Sequence, residues 1–561
     1  MTALIAPRTG GQILVDQLEI HGVNMAFCVP GESYLPVLDA LYESRDAIKL
    51  ITCRHESGAA NMAEAYGKLT GNPGICLVTR GPGATNAAIG VHTALQDSTP
   101  MVLLIGQVGS DFVEREAFQE IDYRRMYGQL AKWVAQIDRA DRIPEYMARA
   151  FQVATSGRMG PVVLALPEDM LTEVVSVADA RRYQHGQKNG PSAGEPALAR
   201  LSSLLTSAER PFVIVGGSGW STETCAALQR FAETQCLPIG CAFRFQDVFD
   251  NAHPNYAGDV GIGINPKLAA RIKAADVVLC IGARLGEMTT GGYTLFEAPI
   301  PKQTLIHVHA GAEELGRVYQ ADLMINATVS AFADAIAALP RLTRSTVVAL
   351  THGANADYRE WQQRKVIPGA VQMWEVMQQI KASVPADVII TNGAGNYATW
   401  AHRFHQYRGF RTQLAPTSGA MGYGVPAAIA AKAVHPQRTV VCMAGDGCFL
   451  MSGQELATAV QYQLNIIFIV VNNSMYGTIR MHQERSYPGH VHGTGLVNPD
   501  FAAYARSFGA HGEVVEKTAD FAPALARALA ADKPALIEIR IDPEAITPNT
   551  TLTAIREAAQ K

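Results

Sequence analysis

Short apolar runs of strand length alternate with helix-length stretches along the whole chain, and that alternation restricts the fold more than any single motif. Met25–Val29, Ile75–Thr79, Met101–Ile105 and Val162–Leu166 occupy the first part, and Asp387–Thr391, Thr439–Met443, Ile466–Val471 and Ala535–Ile541 the last. Between them lie Pro211 onward (PFVIVGGSG), Asp276–Gly282 and Thr304–His309. Runs apolar throughout read as strands buried on both faces, as in parallel sheets covered by crossover helices. The predicted class is therefore α/β, built of doubly wound parallel sheets.

A chain of 561 residues is too long for one core. The polar, Gly- and Pro-containing stretch Asp179–Pro196 reads as a linker, and the polar span Arg341–Arg359 as a second connection. Three domains are expected, at 1–180, 195–340 and 365–550, the first and third open to being structurally related.

A net charge of −4 with no Lys/Arg block argues against a nucleic-acid or membrane-surface partner. Nine cysteines form no CxxC pair and several sit in apolar runs, which points to thiols in a reducing compartment. The amino terminus lacks a basic segment followed by an apolar one, and no run of 18 apolar residues occurs. A cytoplasmic enzyme is expected.

The chemistry concentrates in Gly445–Asn473 (GDGCFLMSGQELATAVQYQLNIIFIVVNN). Asp446 follows one buried strand and Asn473 the next, so both emerge where open α/β sheets bind ligands. A carboxylate, an amide and a backbone carbonyl, completed by diphosphate oxygens and water, suit octahedral magnesium. Gly445 and Gly447 would let the backbone approach phosphates closely. A GDG alone is usually only a strand-to-helix turn; the paired asparagines one helix further on change that reading.

This segment resembles the thiamine diphosphate motif of the family that includes acetolactate synthase, pyruvate decarboxylase and benzoylformate decarboxylase. The resemblance implies that Asp446 and Asn473 hold magnesium through side chains and Met475 through its carbonyl, with Tyr476 and Gly477 among the cofactor contacts. It extends to Arg54-His55-Glu56-Ser57-Gly58-Ala59-Ala60 with Ala63-Glu64-Ala65-Tyr66-Gly67, where Glu56 would hydrogen-bond the aminopyrimidine ring and so promote loss of the thiazolium proton. In Thr417–Gly424 (TSGAMGYG), Met421 would wedge between the cofactor rings and the Gly419 carbonyl would accept from the exocyclic amine. The GPGATN stretch Gly81–Asn86 would lie near the cofactor, and Gly395, Asn396 and Tyr397 would face the diphosphate.

Substrate identity is expected elsewhere. Ala117–Asp122 (AFQEID) is similar to acetolactate synthases and the adjacent histidine pair of pyruvate decarboxylases is missing, which favours carboligation, with Gln119 a catalytic candidate and Phe118 in the substrate pocket. Acetolactate synthases generally carry Gly-Gly-Ala after a proline, whereas this chain reads Pro30-Gly31-Glu32-Ser33. Glu32 is thus a candidate second catalytic carboxylate, with Gly31 and Ser33 beside it. His482 stands where acetolactate synthases carry a tryptophan, so Arg480 and His482 would make the pocket more polar.

The expected reaction is decarboxylation of a 2-oxo acid followed by carboligation to a second 2-oxo acid or an aldehyde. A simple 2-oxo acid decarboxylase and a 2-hydroxyacyl or oxalyl thioester lyase remain alternatives within the fold. A flavin or nicotinamide oxidoreductase is the alternative outside it. Biosynthetic acetolactate synthases hold FAD in the middle domain, where a strand ends IDID; here Ile306-His307-Val308-His309 lacks both acids, so FAD is not the favoured cofactor. The resemblance implies a homodimer or homotetramer whose active sites lie between subunits.

Overall fold

The computed structural model describes residues 6–183, 190–341 and 345–561, so residues 184–189 of the expected linker lie outside the described part. The chain divides into two compact units, residues 1–186 and 187–561.

The first unit is built on one parallel six-stranded sheet. A short pair, β1 (Arg8–Thr9) and β8 (Val174–Val175), runs antiparallel outside it. Its strands are β2 (Met25–Cys28), β3 (Lys49–Thr52), β4 (Gly74–Val78), β5 (Met101–Gln107), β6 (Trp133–Gln136) and β7 (Pro161–Pro167). They lie in the order β3-β2-β4-β5-β7-β6. Every residue of β2, β4, β5 and β7 is buried, as continuous apolar runs require of central strands.

The second unit carries two such sheets. The first contains β9 (Pro211–Val215), β10 (Ile239–Ala242), β11 (Tyr256–Val260), β12 (Val277–Ile281), β13 (Thr304–His309) and β14 (Leu323–Asn326), ordered β11-β10-β9-β12-β13-β14. The other contains β15 (Ile389–Asn392), β16 (Gln413–Leu414), β17 (Val440–Gly445), β18 (Ile467–Asn472), β19 (His511–Val515) and β20 (Ala535–Arg540), ordered β16-β15-β17-β18-β20-β19.

Counted within each sheet in chain order, the first and last sheets share one arrangement, 2-1-3-4-6-5, while the middle sheet is 3-2-1-4-5-6. The suspected kinship of the first and third domains is thus visible in their strand order. In both, the order reverses direction between the first and third strands, and crevices at carboxyl ends beside such a reversal are where ligands bind. That places the loops after β2 and β4, and after β15 and β17, as the sites to inspect.

The span Arg341–Arg359, read as a connection, contains most of a helix at Ser345–Trp361. Val347, Thr351, Ala354 and Tyr358 form a buried stripe at three- and four-residue spacing, with Tyr358 edge-on to Tyr256 of β11 at 4.8 Å. The intervening polar residues are its solvent face. The two sheets of this unit are joined by a buried polar seam. Asp247 accepts from the Thr412 and Gln413 amides, and Asn251 from that of Tyr407. Burial pushes the Asp247 carboxyl up to about 6 against the pull of those amides.

Candidate functional site

In the second unit, a cavity of about 250 Å³ opens at the carboxyl ends of β15 and β17. Gly395, Asn396 and Tyr397 line it from the loop after β15, and Gly445, Asp446 and Gly447 from the end of β17. Gly419 and Met421 come from the glycine-rich segment, and Asn473, Met475, Tyr476 and Gly477 from the turn after β18. One cavity therefore brings together every third-domain residue named for the cofactor.

Local packing explains why the GDG glycines must be small. A Cβ on Gly445 would stand 2.8 Å from the Tyr397 ring, and one on Gly447 2.6 Å from the Tyr476 ring. Gly419 has φ +70° and nothing near its Cβ position, so it serves a left-handed turn beside the cavity.

Asp446 is buried, and burial raises its carboxyl above the usual range, opposed by Asn498 and by the amides of Gly447 and Ser474. The paired asparagines have separate jobs. Asn472 donates to Glu538 Oε1 at 2.8 Å and accepts from Ser474 N at 3.0 Å, which braces the turn, while Asn473 lines the cavity. Ser474 has φ +57°, and the segment after it is held by Tyr476 N to Thr494 O (2.9 Å) and Leu496 N to Ser474 O (2.8 Å). Among the described residues no three His, Cys, Asp or Glu side chains gather as a metal cluster. The set at hand, a buried carboxylate, an amide and a nearby backbone carbonyl, is all-oxygen and fits a hard divalent ion carrying phosphate oxygens.

Several residues here escaped the sequence reading. Asn498 donates to Asp446, yet its own Oδ1 is buried without a partner. Cys448 accepts from the Gly422 amide and pairs with the Tyr397 hydroxyl at 3.1 Å. Ile541, Ala545 and Ile546 add apolar wall from the segment after β20. Cys448 falls inside the glycine-to-asparagine segment without a role read for it, and no motif marks the others.

Arg480 and His482 lie on the helix Gly477–Ser486 but do not line the cavity. The Arg480 guanidinium is bound to the buried Glu484 carboxylate (2.6 and 3.0 Å), which also takes Arg556 from the C-terminal helix (2.5 and 2.7 Å). His482 is exposed, its Nδ1 3.5 Å from Arg485.

In the first unit, Glu56 opens the helix Glu56–Thr70 and its Oε2 accepts from Asn86 Nδ2 at 3.0 Å. Asn86 belongs to the helix Pro82–Asp97, which starts after Gly81 (φ +58°). Small residues let these helices meet: a Cβ on Gly90 would fall 2.4 Å from that of Ala60. Glu32 stands at the carboxyl end of β2, and Arg80, unremarked in the sequence reading, at that of β4. Gly31 packs on Thr79, and the buried Ser33 hydroxyl is 2.8 Å from that of Thr79, so Ser33 belongs to the packing beneath the crevice. Phe118 is 71% exposed, and Gln119, with φ +66°, rests against Gly81.

The middle sheet has a smaller cavity of about 80 Å³ lined by Arg284, Tyr293, His307, Glu314, Arg317 and Tyr319. Both arginines are bound to Glu314 (3.2 and 2.8 Å). His307 is held neutral, its pKa lowered to about 4 by burial, and His309 Nδ1 accepts from the Gly311 amide.

The geometry defines an α/β protein with two sheets of matched strand order, one of them carrying a glycine-lined cavity at its strand reversal, and its sequence relationships agree. Residues 8–126 match the family described as thiamine pyrophosphate enzyme, N-terminal TPP binding domain; residues 198–336 match its central domain, and residues 393–539 its C-terminal TPP binding domain. The chain belongs to the thiamine pyrophosphate enzyme family. Within it, the chain is similar to acetolactate synthase isozyme 2 large subunit of Escherichia coli, at 31% identity over 95% of each chain. It is 33% identical to the acetolactate synthase large subunit of Parasynechococcus marenigrum, over 96% of this chain and 88% of the relative. A probable acetolactate synthase large subunit of Methanocaldococcus jannaschii is 30% identical over 96% and 93%.

Proposed function

We propose that this enzyme decarboxylates a 2-oxo acid and joins the remaining fragment to a second carbonyl compound, with thiamine diphosphate and magnesium. The observation that carries the reading is the single cavity that gathers Asp446, Asn473, Met475, Gly419 and Met421 at the strand reversal of the third sheet. Bound there, the cofactor would supply a carbon nucleophile and an electron sink for the bonding pair left when carbon dioxide departs.

The chain's own residues do the rest. Asp446, Asn473 and the Met475 carbonyl would hold magnesium, and the loop from Gly395 to Tyr397 would face the diphosphate. Met421 would separate the two cofactor rings and impose the bent form. Glu56, oriented by Asn86, would share a proton with the pyrimidine ring nitrogen. Glu32 would move a proton to or from the substrate-derived oxygen or carbon, with Gln119 beside it.

Two subunits would complete the sites, as a homodimer or a pair of dimers. Nine cysteines that form no disulfide among the described residues support a reducing cytoplasm. No helix among the described residues is long and apolar enough to cross a membrane. Incubation with magnesium, thiamine diphosphate and a panel of 2-oxo acids and aldehydes, following carbon dioxide and ligated products, tests the proposal. Cofactor-dependent release of carbon dioxide with a new carbon–carbon bond is expected; a panel with neither would refute it.

A further inference from the structure

Four segments of the first unit converge on one guanidinium. Arg80 Nη2 is 3.5 Å from Glu32 Oε1, Nη1 is bound to Glu168 Oε1, and Nε donates to the Phe118 carbonyl at 3.1 Å. These partners come from the carboxyl end of β2, the carboxyl end of β7 and the loop between β5 and β6, and Arg80 itself from the end of β4. The Arg80 side chain is 10% exposed, against 68% for Glu32 and 42% for Glu168. The positive charge thus lies beneath the two carboxylates.

An exposed ion pair contributes little, but this arrangement is more than a pair. The loop from Ser110 to Asp122 carries three non-glycine residues at positive φ: Glu114 (+62°), Glu116 (+53°) and Gln119 (+66°). Such backbone persists where its surroundings over-determine it. Glu120 supplies part of that by accepting from the Glu114 and Ala117 amides, and Asp169 by accepting from Ser110 N. Arg80 adds the tie from this loop to Glu32. Three bonds in three directions need a planar fork of donors, which an ammonium does not provide.

Taking Glu32 as the second catalytic carboxylate, the reading set out above, we propose that Arg80 is a positioning residue. It fixes Glu32 and the Phe118–Gln119 loop in one alignment, with Glu168 as its rear anchor. Substrate identity would then depend on a residue that does not itself react.

The test is a double-mutant cycle on full-length protein, using carbon dioxide release from whichever 2-oxo acid the wild type turns over fastest. Arg80→Gln, Arg80→Lys, Glu32→Gln and the two doubles are compared, with hydrogen–deuterium exchange of residues 110–122 in cofactor-free protein. Expected are a loss of kcat of about tenfold or more for both Arg80 variants, faster exchange confined to that loop, and doubles whose loss falls well short of the product of the single losses. If Arg80→Gln does not fold, Arg80→Lys and its double carry the test. Losses that multiply in full, or unchanged exchange in the loop, would overturn the Arg80 proposal while leaving Glu32 in place. If Glu32→Gln alone turns over at the wild-type rate, the reading of Glu32 fails, and the Arg80 proposal with it.

Discussion

Asn498 ties Asp446 to Asn472: one amide nitrogen donates to Asp446 Oδ2 at 2.8 Å and to Asn472 Oδ1 at 2.9 Å. The two ends of the glycine-to-asparagine motif, one helix apart in sequence, are thereby held by a third residue. Outer partners of metal ligands commonly set affinity by ten- to a hundredfold. Asn498→Ala is therefore expected to weaken magnesium-dependent thiamine diphosphate binding by about that factor with little change in melting temperature. Calorimetric titration of the cofactor at fixed magnesium checks this; unchanged affinity would make Asn498 a packing residue.

The contact of Gly90 with Ala60 sets the distance between the helices that carry Asn86 and Glu56. A β-branched side chain has no room there, since a Cβ already comes within 2.4 Å of another. Gly90→Val should destabilise the protein by roughly 2–3 kcal/mol through overpacking, read as a lower denaturant midpoint with unchanged slope.

Glu484 gives a pH signature. Arg556 foremost, with the Gly489 amide and Arg480, lowers its pKa from 4.5 to about 2 in the folded protein. Because the folded value is the lower one, the stabilising contribution is fully present above about 4.5 and is lost as pH falls toward about 2. Glu484→Gln should lower stability at neutral pH and flatten the acid dependence across that window. Thermal melts of both proteins between neutral pH and pH 3 would show converging curves; parallel curves would mean that Glu484 does not carry the acid dependence.

The fold was legible because its central strands are apolar on both faces: the run Thr304–His309 is a strand to the residue, and the other bounded runs agree within two at each end. The cavity in the second unit was legible because its donors follow directly on such strands. What escaped is contributed by residues whose sequence neighbours give no hint of their place in space. Asn498 reaches Asp446 from 52 residues away, and Ile546 lines the cavity from beyond the last strand. Arg480 is taken instead by Glu484, four residues on along the same helix, a carboxylate that Arg556 reaches only when two helices pack. The helix Ser345–Trp361 was hidden by the polar residues that interrupt its buried stripe.

The central claim is that a bound thiamine diphosphate is activated by Glu56, and one variant addresses both parts of it. Glu56→Gln keeps the size of the side chain and its acceptor for Asn86 but removes the carboxylate. Cofactor binding by calorimetry and turnover of the best 2-oxo acid should be measured on the same preparation. The expected result is a Kd within about tenfold of the wild type together with a loss of turnover of at least a hundredfold. Wild-type turnover in Glu56→Gln, or a wild-type protein that binds no thiamine diphosphate, would contradict it.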